Sequence, residues 1–156
     1  MIHFMAGLNH DGFLVSRSAY PYSAYAAFLT DPSGIQLHDD LIWYVNDTLQ
    51  WIPTFNPARD EPWSGLCHYG PTIISSEGAA RAQGIFASWA AVFSNGPATL
   101  SLRGHWTRID GDARNGAYDT IEVQRDELVE KLHLRTTYAQ DVVQSNGALY
   151  ILHLGI

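Results

Sequence analysis

The chain closes on Ala148–Ile156, ALYILHLGI, in which only His153 and Gly155 interrupt a run of apolar residues. Alternating hydrophobicity marks a strand with one wet face. A continuous run this short marks a strand covered on both faces, which places it centrally in its sheet. The rest of the fold is read outward from this strand.

Asn146-Gly147 just before it is a helix C-terminal signal. Behind that signal, Arg125–Ser145 has a helical period, with Leu128, Leu132, Ala139, Val142 and Val143 as core positions and Thr136-Thr137 expected to divide it into two helices. Thr99–Ile109 and Tyr118–Val123 alternate as strands around the turn-forming DGDARNG, with a bend expected at Gly104. Upstream, Ser75-Ser76-Glu77 opens a helix and Asn95-Gly96-Pro97 closes it. Its apolar face is Ala79, Ala82, Phe86, Trp89, Ala90 and Phe93.

The N-terminal half is less regular. Ile2–Leu8 reads as a strand, Asn9-His10-Asp11-Gly12 as a hairpin turn and Phe13–Ser18 as the returning strand. A short helix is expected over Ala24–Leu29, capped by Ser23. A longer one is expected over Leu41–Ile52, with Asp39 and Asp40 as cap and first turn. Thr54–Ile74 is left as a long connection. The expected architecture is therefore α+β, or mixed α/β. It is a sheet of about four or five strands packed with three or four helices, in one domain spanning residues 1–156.

Apolar residues make up 46% of the 156 and charged residues only 16%. That is a globular composition, with some apolar surface left over, either exposed or covered in a homodimer. The formal net charge is -7. Residues 1–76 carry two basic and seven acidic side chains, and Lys131 is the only lysine. Such a balance disfavours binding to nucleic acid and favours a basic protein partner. One cysteine, Cys67, excludes an intramolecular disulfide. The N-terminal MIHFMAGLNHDG has neither a basic leader nor a long apolar run, so a cytoplasmic protein without a membrane span is expected.

Sequence patterns for phosphate-binding loops, dinucleotide sites, zinc proteases and nucleophile elbows are absent, and no metal or cofactor is expected. Cys67 and His68 are the weak candidates for nucleophilic chemistry, with His38, His105 or His153 as the base. His105 and His153, if their strands were neighbours, would line one pocket. The commoner role for each of these is structural. A buried thiol serves as a small hydrophobe, and a strand histidine as a hydrogen-bonded core residue.

The stronger signal is aromatic. Trp43, Tyr44, Trp51, Phe55, Trp63 and Tyr69 fall close together in the acidic half. Trp43, Trp51 and Trp89 are expected in the core. Trp63, beside Asp60 and Glu61 in a Pro/Gly-rich stretch, is expected outside. Trp and Tyr dominate binding hot spots because they bury a large area while keeping a polar tip. The sequence thus has the general build of proteins that neutralise basic partners, such as bacterial immunity proteins. Asp60, Glu61, Trp63, Tyr69, Asp39 and Asp40 are the expected contact residues. The alternatives are a small hydrolase or lyase with a Cys/His pocket, and a ligand-binding domain with an aromatic pocket.

Overall fold

The computed structural model describes residues 8–109 and 111–156. It is a mixed α+β fold with a six-stranded antiparallel sheet and a separate two-stranded sheet. The strands of the large sheet are β1 (Asn9–Ser16), β2 (Ile35–His38), β3 (Pro53–Asn56), β4 (Glu61–Ser64), β5 (Pro71–Ile74) and β8 (Leu149–Leu154). Their order is β2-β1-β8-β5-β3-β4. β6 (Thr99–Ile109) and β7 (Asp112–Gln124) form the other sheet. The helices are α1 (Asp39–Tyr44), α2 (Asn46–Leu49), α3 (Ser76–Ser94) and α4 (Arg125–Gln144), with a 3-10 segment at Tyr22–Phe28.

β8 is central, as its apolar run requires. Tyr150, Leu152 and Leu154 join Phe13, Val15 and Ile73 on one face, under Tyr22, Tyr25 and Phe28 of the 3-10 segment. Ile151 faces the other way, into the larger cluster built from α3, α4 and the base of β6–β7. Fully burying each such side chain contributes about 1.5–3 kcal/mol, so a strand buried on both faces anchors two cores at once.

α3 and α4 cover that second face. On α4, Leu128, Leu132, Ala139 and Val142 are buried, and Val143, expected inside, is exposed. Thr136 and Thr137 do not divide the helix. Their hydroxyls donate to the carbonyls of Leu132 and His133, one turn back, which keeps them within the ladder. On α3, Gly78 lies against β3: a Cβ there would stand 2.1 Å from the carbonyl oxygen of Pro53. Gly84, on the exposed side of the same helix, has nothing within 4 Å. Gly84→Ala is therefore expected to stabilise by about 0.5–1 kcal/mol through helix propensity, and Gly78→Ala to destabilise by about 1–3 kcal/mol through overpacking. Urea midpoints shifting the same way for both would refute this contrast.

Several expectations are corrected. The strand expected over Ile2–Leu8 lies, Leu8 apart, outside the described residues. Asn9-His10-Asp11-Gly12 is not a turn but the first half of β1, paired with β2 on one side, with Asp11 and Gly12 also paired to β8 on the other. Gly12 serves proximity rather than turning: a Cβ there would lie 2.8 Å from the guanidinium carbon of Arg135. The Leu41–Ile52 helix breaks at Val45 (φ -101°, ψ 6°) into α1 and α2. Asn46 and Asp47 follow, whose side chains compete for backbone groups. Its cap is His38, whose ring accepts from the amide of Asp40, and Asp39 and Asp40 occupy the first turn.

The presumed connection 54–74 supplies three strands. Its prolines hid them, yet each sits where a sheet tolerates proline. Pro53 and Pro71 begin their strands, and Pro62 lies in β4, at the sheet edge. The Asn56 side chain turns the β3–β4 hairpin by accepting from the amides of Ala58 and Arg59, with Asp60 in the left-handed region at φ 54°.

Candidate functional site

A chain of polar side chains runs from the interior to the surface at α1. Its innermost member is Arg135. It falls on the buried stripe of α4, one turn from Leu132 and one from Ala139, and is 1% exposed. One guanidinium nitrogen donates to the carbonyl of Ile35 at 2.8 Å, and another lies 3.0 Å from His153 Nδ1. Nε has no hydrogen-bond partner among the described residues. Burial lowers the Arg135 pKa to about 10, opposed by the charge of Asp11, which still leaves the group charged at neutral pH.

His153 Nε2 lies 2.8 Å from His10 Nδ1, and His10 Nε2 lies 2.7 Å from Asp39 Oδ1. Both histidines are fully buried. Arginine can only donate, so His153 Nδ1 accepts and its hydrogen sits on Nε2. That hydrogen is donated to His10 Nδ1, and His10 in turn donates from Nε2 to Asp39. Burial, reinforced by Arg135 and the neighbouring imidazoles, holds the His153 pKa well below its ordinary 6.5. Burial also lowers that of His10, although the Asp39 hydrogen bond opposes it. Both rings are neutral links between a buried cation and a carboxylate.

Asp39 then meets His68, whose Nδ1 is 3.4 Å from the same Oδ1. Trp43, one helical turn after Asp39, stacks on the His68 ring with centroids 3.7 Å apart and planes 13° from parallel. His68 Nε2 lies 3.4 Å from Asn46 Oδ1. The loop carrying His68 is held by the end of the chain. The amides of Ile156 and Gly155 donate to the carbonyls of His68 and Gly70, and Gly155 has no room for a Cβ against that backbone.

His10, Asp39 and His68 offer three metal-ligand atoms within 4.8 Å of one another. Their number and type would suit a divalent transition metal. The chemistry of the set argues otherwise. His10 could ligate through Nε2 only by moving its hydrogen to Nδ1, which would force a donor from His153 Nδ1 against the donor of Arg135. The 2.7 Å His10–Asp39 separation is that of a hydrogen bond.

The sequence candidates are distributed unevenly around this chain. His68, His153 and Asp39 belong to it, and Asp40 lies beside it in the first turn of α1, 3.5 Å from His38 Nδ1. Tyr69, adjacent to His68, is 77% exposed. His105 and His153 do not meet, because β6 belongs to the other sheet. His105 instead presents its edge to Trp43 at 5.4 Å. Cys67 diverges from His68 and receives the Asn56 amide at 3.8 Å. Asp60, Glu61 and Trp63 form their own group on the β3–β4 hairpin. Arg59 reaches Glu61 at 3.8 Å and covers the Trp63 ring at 5.5 Å, which dilutes the acidity there. Trp43 and Trp51, expected inside, are 41% and 61% exposed, and Trp89 is partly buried at the border of the core. Trp43 and Trp51 each lie two positions after a residue of the buried stripe, Leu41 and Leu49, which turns their rings away from the core.

His10 and Arg135 were missed as functional residues. His10 was absorbed into a false turn. Arg135 had a signal, a lone cation on the apolar stripe between Leu132 and Ala139.

Two clefts of about 480 and 500 Å³ open elsewhere. The first lies between β2, β7 and α4. The second, beside Trp51 and Trp89, is the aromatic one. Neither is lined by His10, Asp39 or His68. No described helix is long and apolar enough to cross a membrane. What fold and site define is an antiparallel α+β domain with a buried arginine–histidine chain ending beneath an exposed tryptophan. No family model, curated protein or solved structure matches the sequence.

Proposed function

We propose that the chain is a non-catalytic binding module that neutralises a basic protein, a toxin or nuclease, in the manner of an immunity protein. The observation that supports this most is the exposure of Trp43, Tyr44, Trp51, Trp63 and Tyr69, all between positions 43 and 69 of the acidic half. Rings that large are normally withdrawn from water, and where they stay out beside carboxylates they suit a desolvated contact with a cationic surface. Trp43 and Tyr69, flanking His68 with Asp40 and Asp47 nearby on α1–α2, form the centre of the face. Asp60, Glu61 and Trp63 contribute from the hairpin.

The test is affinity capture with the full chain over a salt series, with identification and isoelectric point of what is retained. A basic protein should be held at low salt and released as salt rises. Trp43→Ala should weaken its binding by about 2 kcal/mol or more, as for a central hot-spot residue. Capture that ignores both salt and Trp43→Ala would refute the reading. Co-expression with an adjacent toxin-like reading frame gives the direct functional assay: growth restored by the wild type and not by the Trp43→Ala, Tyr69→Ala double variant.

A further inference from the structure

We propose that the outer side of α3 is a contact between two copies of this chain. The proposal goes beyond the docking reading above and rests on a contrast between the two long helices. Both bury one stripe in the same core. On its other side α4 turns charge to water, with Asp126, Glu127 and Glu130 all exposed, as a surface helix normally does. α3 does not. Its charged residues are Glu77 and Arg81, and none follows from Ala82 to Ser94. Gly84, Ala87, Ser88, Ala91 and Val92 are nonetheless exposed along that length, Val92 by 58%. Beside them a cleft of about 500 Å³ opens between α3 and the end of α2, walled by Trp51, Ile85, Trp89 and Val92. A helix that lacks charge on its outer as well as its inner side is built to be covered.

Net charge selects the cover. At -7, two copies repel wherever their carboxylates meet. In a two-fold contact the residues near the axis face themselves, so any charge placed there meets its like. Self-association of an acidic chain therefore requires an uncharged patch, and homodimer contacts have apolar, charge-depleted centres. A basic partner calls for the opposite, carboxylates turned toward it. Of the exposed rings counted in the docking reading, Trp51 alone lines this cleft, and it is the one assigned here to the second copy.

Sedimentation equilibrium of the full chain, with no other protein present, tests this. The wild type should show twice the chain mass at micromolar concentration. Ser88→Glu and Val92→Glu each set a carboxylate on the patch of both copies, at exposed positions where Glu is a good helix former. Each should raise the dimer Kd about tenfold or more. Leu29→Glu adds the same charge at an exposed position after the 3-10 segment, on the other face of the sheet, and should leave the Kd unchanged. Added salt should tighten the dimer by screening its like charges, whereas it releases a basic protein, so the two readings fail separately. A wild type that keeps the mass of one chain, patch variants that dimerise as tightly as the wild type, or a Kd raised equally by Leu29→Glu would each overturn the proposal. So would a monomeric wild type whose captured basic protein is lost on Val92→Glu, which would give the face to that protein instead.

Discussion

Replacing Arg135 with alanine is expected to lower the stability of the fold by about 3–5 kcal/mol, a size seen when a buried charged network loses a member. Two costs combine. The carbonyl of Ile35 and Nδ1 of His153 lose their donor in a place water does not reach, at about 1–3 kcal/mol for a buried group left unsatisfied. The vacated side-chain volume adds a cavity between α4 and the sheet. One term opposes them: the buried cation no longer has to be kept out of water. Arg135→Met keeps most of the volume and also removes the charge, so its loss should be clearly smaller than that of alanine. Urea unfolding of the three proteins measures both. A loss below about 1 kcal/mol for alanine would mean that the guanidinium does not organise its surroundings.

Mild acid is expected to unfold the protein earlier than its carboxylates alone would require. His10 and His153 have folded-state pKa values below the ordinary 6.5, chiefly through burial. Above that value both states of the chain hold these rings neutral, and their contribution to stability is complete. Below it the unfolded chain takes up protons that the folded chain refuses. Stability therefore falls with pH by up to about 1.4 kcal/mol per unit for each ring, until the folded values are reached. The groups facing the pair are Arg135 from α4, Asp39 from α1 and His68 from the loop after β4. Arg135 and His68 deepen the shift of both rings, and Asp39 opposes it at His10. Urea midpoints measured between about pH 7.5 and about pH 5.5 lie above the main carboxylate range. A midpoint that holds or rises over that interval would contradict the assignment of both rings as neutral links.

The two predictions converge on the part of the molecule hardest to read from sequence. The helical segments were legible because α3 and α4 carry their own stops and apolar stripes, although the continuity of α4 through Thr136-Thr137 was not. The hairpin β6–β7 was legible because its strands are consecutive and alternate, but most of the expected DGDARNG turn belongs to β7, which begins at Asp112. Residues 53–74 were not, because strands of four residues that begin with or contain proline give no periodicity. What makes them strands is the pairing of β5 with β8 and of β3 with β4 and β5. Trp43 and Trp51 were misplaced because their size was read as core: each lies two positions after a residue of the buried Leu41, Leu49, Ile52 stripe, which sets it off that stripe and toward solvent.

By itself the sequence determined the mixed α+β class, the central place of the closing strand, the long helix α3 and the helical character of α4, since each depends on the order of residues within a single segment. It also determined that the chain is acidic and rich in large rings over positions 43–69. Only the tertiary structure decided that His10, Asp39, His68, Arg135 and His153 form one chain. These residues come from two strands, two helices and a loop, and their partners are as much as 143 positions apart. A hydrogen bond between such residues leaves no mark on local composition. It exists because β1 and β8 pair, because Gly12 leaves room for a guanidinium, and because the end of the chain holds the His68 loop beneath Trp43.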